Sequence, residues 1–342
     1  MSLQPVWDNR SPPESLQANL PDPHCWPLGM ALDGTPLHSS KPLNIYGRPV
    51  AVADWLKSLA LQSLTMTPAG LMLIDGAGQL GPALKRQQAV TQKLGRQVLY
   101  VDLDNPALNG GYNPLAPAPG EQENDTLSRW QRWFGATGVH REGLALLARA
   151  QQEGVADIPA LQRWLQRPQQ HQNRAAAGLR VVLQRLLAEP GLGDWLTWPT
   201  NCYDALAEST LIFTCSSQSW AHRQLLLSAL LVAVGNHSLR IVAHGIPWKE
   251  FPLVDFNGRM VTSSNGPPTA GGIIIMVTGA GRLASRFFPL DAQLQENLHL
   301  LGQGEAVIVV EGNAVYASWQ KVTSRDPSAG KAEGKRDNTT IA

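Results

Sequence analysis

Leu43-Asn44-Ile45-Tyr46-Gly47-Arg48-Pro49-Val50-Ala51-Val52-Ala53-Asp54-Trp55-Leu56-Lys57-Ser58-Leu59-Ala60-Leu61-Gln62-Ser63-Leu64 is the stretch on which the fold turns. A short apolar run ends at a glycine, a helical pattern follows over Trp55 to Leu64 with Asp54 placed to cap it, and a second apolar run follows at Leu71 to Asp75. Strand, helix and buried strand in that order are the signature of a largely parallel sheet with crossover helices. Working outward, the same kind of run recurs at Val98–Leu103, Thr210–Cys215, Leu239–Ala243 and Ile273–Val277. Glu305–Glu311 and Ala314–Lys321 follow, joined through Gly312-Asn313, a dipeptide suited to a tight hairpin. The expectation is an α/β protein with a mostly parallel sheet flanked by helices and a C-terminal antiparallel hairpin.

Between about residues 121 and 198 the strand signal stops and apolar residues recur at helical spacing: Trp130, Trp133 and Phe134, then Leu144 and Leu147, then Leu161, Trp164 and Leu165, then Leu179, Val182, Leu183 and Leu186. This is expected to be an all-helical insertion, so the α/β domain comprises residues 27–120 and 199–323. The Pro-rich residues 1–26 and the polar residues 324–342 are expected to be flexible. Tryptophans at this spacing ordinarily face a core, yet Trp130, Trp133, Trp164 and Trp195 in one region would also suit a partner-binding surface.

At 342 residues the chain can bury a large core without disulfides or metals. Its formal charge is +1, which does not support strong autonomous nucleic-acid binding. Three widely spaced cysteines, Cys25, Cys202 and Cys215, make neither a disulfide framework nor a metal-ligand pattern, and no His/Cys/Asp cluster has the spacing of a metal site. There is no membrane span, and the start of the chain has no apolar signal region, so a cytoplasmic location is expected.

Phosphate binding after the first strand would need glycine N–H groups, a Lys and a Ser/Thr in the pattern G-x-x-x-x-G-K-[ST]. Started at Gly47, that template puts Val52, Ala53 and Asp54 at its three chemical positions, and all three fail. Lys57-Ser58, one turn later, would point away from the loop. A hydrolytic site also needs a carboxylate pair at the end of a buried strand, to hold magnesium and activate water. The strand LRIVAHG ends instead in His244 and Gly245.

Several motifs occur in one order: Trp26-Pro27-Leu28-Gly29, the failed loop at Gly47, the strand ending at Asp75, a helix over Ala83–Leu94, and the turn Tyr112-Asn113-Pro114-Leu115 directly before the helical segment. TLIFTCSSQSWAHRQLLLSALL and the Gly304-Glu305-Ala306 hairpin close the series. Over about residues 26–322 this resembles the HerA/FtsK-type P-loop ATPases, most of all the conjugative, type IV secretion coupling proteins. The resemblance implies a RecA-like fold and a setting in DNA transfer, with protein partners such as an active ATPase relative or a relaxase, and a place at the inner membrane reached through those partners. The departures fall on the family's catalytic positions, which leaves a degenerate nucleotide site comprising Gly47, Ala53, Asp54, Asp75, His244 and Gly245. The chain is therefore expected to be a pseudo-ATPase with no cofactor, acting by protein-protein binding.

One motif competes. Gly76-Ala77-Gly78-Gln79-Leu80-Gly81 is a literal G-x-G-x-x-G after a strand and before a helix, with Asp102 at the end of the following strand. In an NAD(P)-binding oxidoreductase, Gly76, Gly78 and Gly81 would admit the pyrophosphate and Asp102 would take the ribose hydroxyls. Asp75, immediately before the first glycine, would put a negative charge beside that pyrophosphate. A second glycine-rich turn carries Arg282 and Arg286, which read as surface residues.

Overall fold

The computed structural model describes residues 16, 25–66, 70–85, 97–105, 112–118, 120–196, 209–216, 219–235, 240–246, 260–263, 273–280, 290, 292–310 and 313–319. Both expected flexible termini fall almost wholly outside them, as do residues 86–94 of the expected helix and the arginines 282 and 286.

Eleven strands form one sheet: β1 (Trp26–Met30), β2 (Pro36–Ser39), β3 (Leu43–Tyr46), β4 (Leu71–Asp75), β5 (Gln97–Asp102), β6 (Ser209–Thr214), β7 (Arg240–His244), β8 (Met260–Ser263), β9 (Ile273–Met276), β10 (Glu305–Val310) and β11 (Asn313–Ser318). Their order is β2-β1-β11-β10-β9-β3-β8-β7-β4-β6-β5. From β9 to β5 every pairing is parallel. From β9 outward through β10, β11, β1 and β2 every pairing is antiparallel. Val310 pairs with Asn313 across the expected hairpin. β1, β2 and β8 were not anticipated; Trp26, assigned by sequence to the N-terminal segment, begins β1.

Strand β4 lies between β7 and β6 and is buried on both faces, which is why it reads as an unbroken apolar run. Its alternate side chains feed different cores: Met72 and Ile74 one, Leu71 and Leu73 the other. Strand β7 divides likewise, with Ile241 and Ala243 on the first face and Val242 on the second.

Helix α1 (Pro49–Met66) covers the second face with Val52, Trp55, Leu56, Leu59 and Ala60, spaced i, i+3, i+4, i+7 and i+8. It begins five residues before the expected cap, because Pro49 stands at its first position, where a missing N–H costs nothing and the fixed φ already suits a helix. The expected helix from Ala83 begins at Leu80, as α2 (Leu80–Lys85) in the described residues.

From Glu123 to Trp195, between β5 and β6, the described elements are all helices: α3 (Glu123–Ala136), α4 (Arg141–Gln152), α5 (Ile158–Leu165), α6 (Pro168–His171), α7 (Arg174–Leu187) and α8 (Leu192–Trp195). Asp157 caps α5 by accepting from Ala160 N at 2.6 Å, and Asn173 caps α7 by accepting from Ala175 N at 2.9 Å. Then α9 (Trp220–Gly235), apolar all round, packs between these helices and the sheet, and α10 (Ala292–His299) precedes β10. The packing of the helical segment is not self-contained. One apolar core runs from Met72, Ile74 and Phe213 through Leu226, Leu227 and Leu230 into Trp133, Phe134, Leu147 and Leu179.

The Tyr112–Leu115 turn is the joint between the two parts. Tyr112 Oη lies 2.5 Å from Ser228 Oγ on α9, Asn113 Nδ2 donates to Ala156 O at 2.8 Å, and Trp130 Nε1 donates to Leu115 O at 2.9 Å. Beneath it, the buried Arg129 guanidinium grips both oxygens of Glu121 at 2.9 Å and donates to Pro114 O and Ala116 O at 2.7 and 2.6 Å. Burial pushes the Glu121 carboxyl up, but the Arg129 hydrogen bonds and charge outweigh it, and the group sits below the usual carboxylate range.

Candidate functional site

The carboxyl ends of β3, β4, β6 and β7 lie along one rim of the sheet, and the candidate residues fall into two groups there. The first surrounds the turn from β3 into α1. Only Gly47 and Arg48 separate the strand from the helix. Arg48 N–H is committed to Thr278 O at 2.9 Å, and Val52 N–H to Arg48 O at 3.0 Å as the first helical turn closes. Pro49 has no N–H. Gly47 is required because a Cβ there would run into the Val277 side chain.

Val52, Ala53 and Asp54 are thus inside α1 and not in a loop, so the backbone cannot wrap a phosphate at these positions. Asp54 does not cap the helix as expected. Its carboxylate accepts from Gln303 Nε2 at 3.1 Å and lies 3.9 Å from Lys57 Nζ. Ser58 Oγ turns back to Asp54 O at 3.1 Å, so Lys57-Ser58 face the helix surface as anticipated. A cleft of about 490 Å³ opens beside the helix start, lined among others by Arg48, Asp54, Thr278, Gln303 and Glu305.

The second group surrounds Asp75, which is fully buried. Oδ2 accepts from Leu80 N at 2.7 Å, Gly81 N at 2.8 Å and Thr214 Oγ1 at 3.2 Å, and Oδ1 accepts from Ala77 N at 3.3 Å. The carboxylate therefore fills the N-terminal end of α2, where a bound anion would otherwise sit. The glycines of GAGQLG answer to packing. Gly78 has φ +65°, and a Cβ there would lie 2.8 Å from Ser216 Cβ; one on Gly81 would lie 2.7 Å from Thr214 Cβ.

His244 is the register partner of Asp75 across the β4–β7 ladder, and its carbonyl accepts from Gly76 N at 2.8 Å. Burial pushes the imidazole pKa down, partly offset by the Asp75 charge. Gly245, at φ +66°, lies so close to Ala77 that a Cβ would stand 2.7 Å from the alanine Cβ. The end of β7 thus offers no carboxylate to magnesium or water.

Asp102 is not brought to the GAGQLG turn. β6 lies between β4 and β5, whereas the dinucleotide pattern needs the acidic strand next to the glycine-rich one. The Asp102 carboxylate instead closes its own loop, accepting from Asp104 N at 3.0 Å and Asn105 Nδ2 at 3.1 Å.

Trp130, Trp133 and Trp164 are buried at 2%, 1% and 1% exposure. Their indole N–H groups donate to Leu115 O, Gln224 O and Glu153 Oε2 at 2.9, 2.9 and 2.8 Å. This corrects the expectation that they form a partner-binding surface: rings enclosed in the core have no face to present. The Trp195 and Trp198 side chains fall outside the described residues. Sequence reading missed Asp104, Cys215 and His222, which converge beside the second group. Among the described residues no helix is long and apolar enough to cross a membrane.

No protein-family model matches the sequence, and no curated protein matches it. Solved structures do. VirB4 of Thermoanaerobacter pseudethanolicus superposes with a TM-score of 0.57 at 14% identity, over 87% of this chain and 96% of that one. The bacterial conjugative coupling protein TrwBΔN70 gives a TM-score of 0.48 at 12% identity, over 88% and 91% of the two chains. The chain thus shares the α/β fold of VirB4, in keeping with the RecA-like architecture expected from the sequence.

Proposed function

We propose that this chain is a pseudo-ATPase: a coupling-protein-like component of a conjugative or type IV secretion DNA-transfer apparatus that acts by protein-protein binding. The observation that carries the proposal is the two-residue turn from β3 into α1. It replaces a phosphate-binding loop by a helix start led by proline, and it puts Ala53 and Asp54 on a helix. A carboxylate beside a triphosphate would repel it. His244-Gly245 at the end of β7 adds that neither the magnesium-holding nor the water-activating carboxylate has a counterpart there.

The fold shared with VirB4 supports the secretion setting, and a cytoplasmic location with attachment at the inner membrane through partners follows from that reading. Partners of the expected kind are an active ATPase relative or a relaxase. The NAD(P) oxidoreductase alternative draws no support from the geometry. Asp75 takes up the N–H groups that a pyrophosphate would need, and Asp102 stands two strands away.

The test is magnesium-dependent ATP turnover and fluorescent-nucleotide binding at millimolar nucleotide by the purified protein, with pull-down of an ATPase relative and a relaxase from the same transfer system. Background turnover and no nucleotide binding, with capture of a partner, are expected. Turnover that is lost in Lys57→Ala would overturn the proposal.

A further inference from the structure

The carboxyl ends of β5 and β6 meet the first turn of α9 in a cluster that the function above does not use. Asp104 follows β5, Cys215 follows β6, and His222 lies on α9. One ligating atom from each lies within 4.8 Å of the other two. Asp104 and Cys215 are 111 residues apart in the chain, so no local spacing could reveal them.

The donor set is thiol, imidazole and carboxylate, the mixture that binds zinc and neighbouring divalent transition metals. Cys215 Sγ lies 3.3 Å from Asp104 Oδ1. In a tetrahedral zinc site with Zn–S near 2.3 Å and Zn–O near 2.0 Å, those two atoms would stand about 3.5 Å apart. The pair is therefore already at coordination spacing, and an imidazole nitrogen lies within 4.8 Å of both atoms.

The supports are built as well. Asp104 Oδ2 accepts from Ser216 N at 2.5 Å and Ser216 Oγ at 2.7 Å, which fixes the carboxylate with Oδ1 toward the thiol. His222 is held from both sides, with Nε2 2.9 Å from Leu103 O and Nδ1 2.6 Å from Ser219 Oγ. Whichever nitrogen ligates, the other keeps its bond as the outer support that metal-bound imidazoles have. Glu189 Oε1, 3.8 Å from His222 Nδ1, offers a further oxygen. The thiol and imidazole are buried and Asp104 is half-buried.

We propose that Asp104, Cys215 and His222 form a divalent transition-metal site of the zinc type, with the fourth position taken by water or by Glu189. Binding replaces the thiol proton by the metal, and that proton leaves to solvent. The ion ties the ends of β5 and β6 to α9 and plays no part in the nucleotide chemistry weighed above.

The test uses the full chain, stripped by a chelator and titrated first with cobalt(II) and then with zinc. One cobalt per chain is expected, with a thiolate-to-cobalt charge-transfer band that zinc displaces. The band should vanish in Cys215→Ser and persist in Cys25→Ser and Cys202→Ser. Asp104→Asn and His222→Gln should each weaken zinc by about tenfold or more. Asp104 is half-buried, and its asparagine variant keeps one oxygen for Ser216, so it remains informative if Cys215→Ser does not fold. No band at millimolar cobalt, a band unchanged in Cys215→Ser, or zinc affinity unchanged in Asp104→Asn each overturns the site.

Discussion

Replacing Asp75 by alanine tests whether that carboxylate is a structural cap on α2. The change strips the acceptor from Leu80 N–H, Gly81 N–H, Ala77 N–H and the Thr214 hydroxyl in a place with no solvent exposure. Loss of a helix cap costs about 0.5–2 kcal/mol. Each buried donor left unsatisfied costs about 1–3 kcal/mol, and relief from burying a charge returns part of that sum. The net expectation is about 2–4 kcal/mol of destabilisation for Asp75→Ala and roughly half that for Asp75→Asn, which keeps one oxygen. Urea unfolding followed by far-ultraviolet circular dichroism reads the difference through the midpoint at unchanged m-value. The His244 imidazole, followed by proton NMR, should titrate at still lower pH in Asp75→Ala, because the charge that partly offsets its burial is gone. A variant within 0.5 kcal/mol of the parent, the experimental scatter of neutral surface changes, would show that the carboxylate does not hold this rim together.

Arg129→Met leaves Glu121 as an unpaired buried charge and frees two carbonyls of the Tyr112–Leu115 joint, so a loss of about 3–5 kcal/mol is expected by denaturant unfolding; a loss under 1 kcal/mol would mean the joint does not depend on it. Stability should fall in two acid steps. The depressed His244 value removes stability as pH drops below about 6.5, since the unfolded chain takes up that proton first; the depressed Glu121 value does the same below about 4.5. Thermal scans across pH check both, and His244→Gln should flatten the upper step. NAD and NADP should leave the melting temperature unmoved, whereas a ligand at a hundred times its dissociation constant would add about 2.7 kcal/mol. Exchanging residues 121–198 for a Gly/Ser linker removes one wall of a shared core, so a broadened, dye-binding unfolding transition is expected, and a sharp native-like one would contradict the packing.

What could be read in the chain follows from how local each signal is. β4 is legible because both its faces are buried, which makes a run of four apolar residues, Leu71 to Ile74, with no alternation to confuse it. β1, β2 and β8 are four or five residues long; β1 depends on a pairing with β11, and β2 on a pairing with β1, that no pattern within them announces. The start of α1 was missed although its signal was present: Pro49 directly after a strand-ending Gly-Arg marks a first helical position. A phosphate-loop template laid on the same residues takes no account of that proline, which is the physical reason its later positions fall inside a helix. Missing residue types remove a site's chemistry, whereas the two-residue turn commits the Arg48 N–H to Thr278 O and offers none at Pro49, so the backbone donors of a phosphate loop are not presented there. Asp75 shows the same logic from the other side. Its charge was seen in the sequence as a repellent for phosphate, whereas its partners, Leu80, Gly81 and Thr214, make it a replacement for one. That distinction depends on how β6 lies against β4, and the pairing brings together residues 139 positions apart.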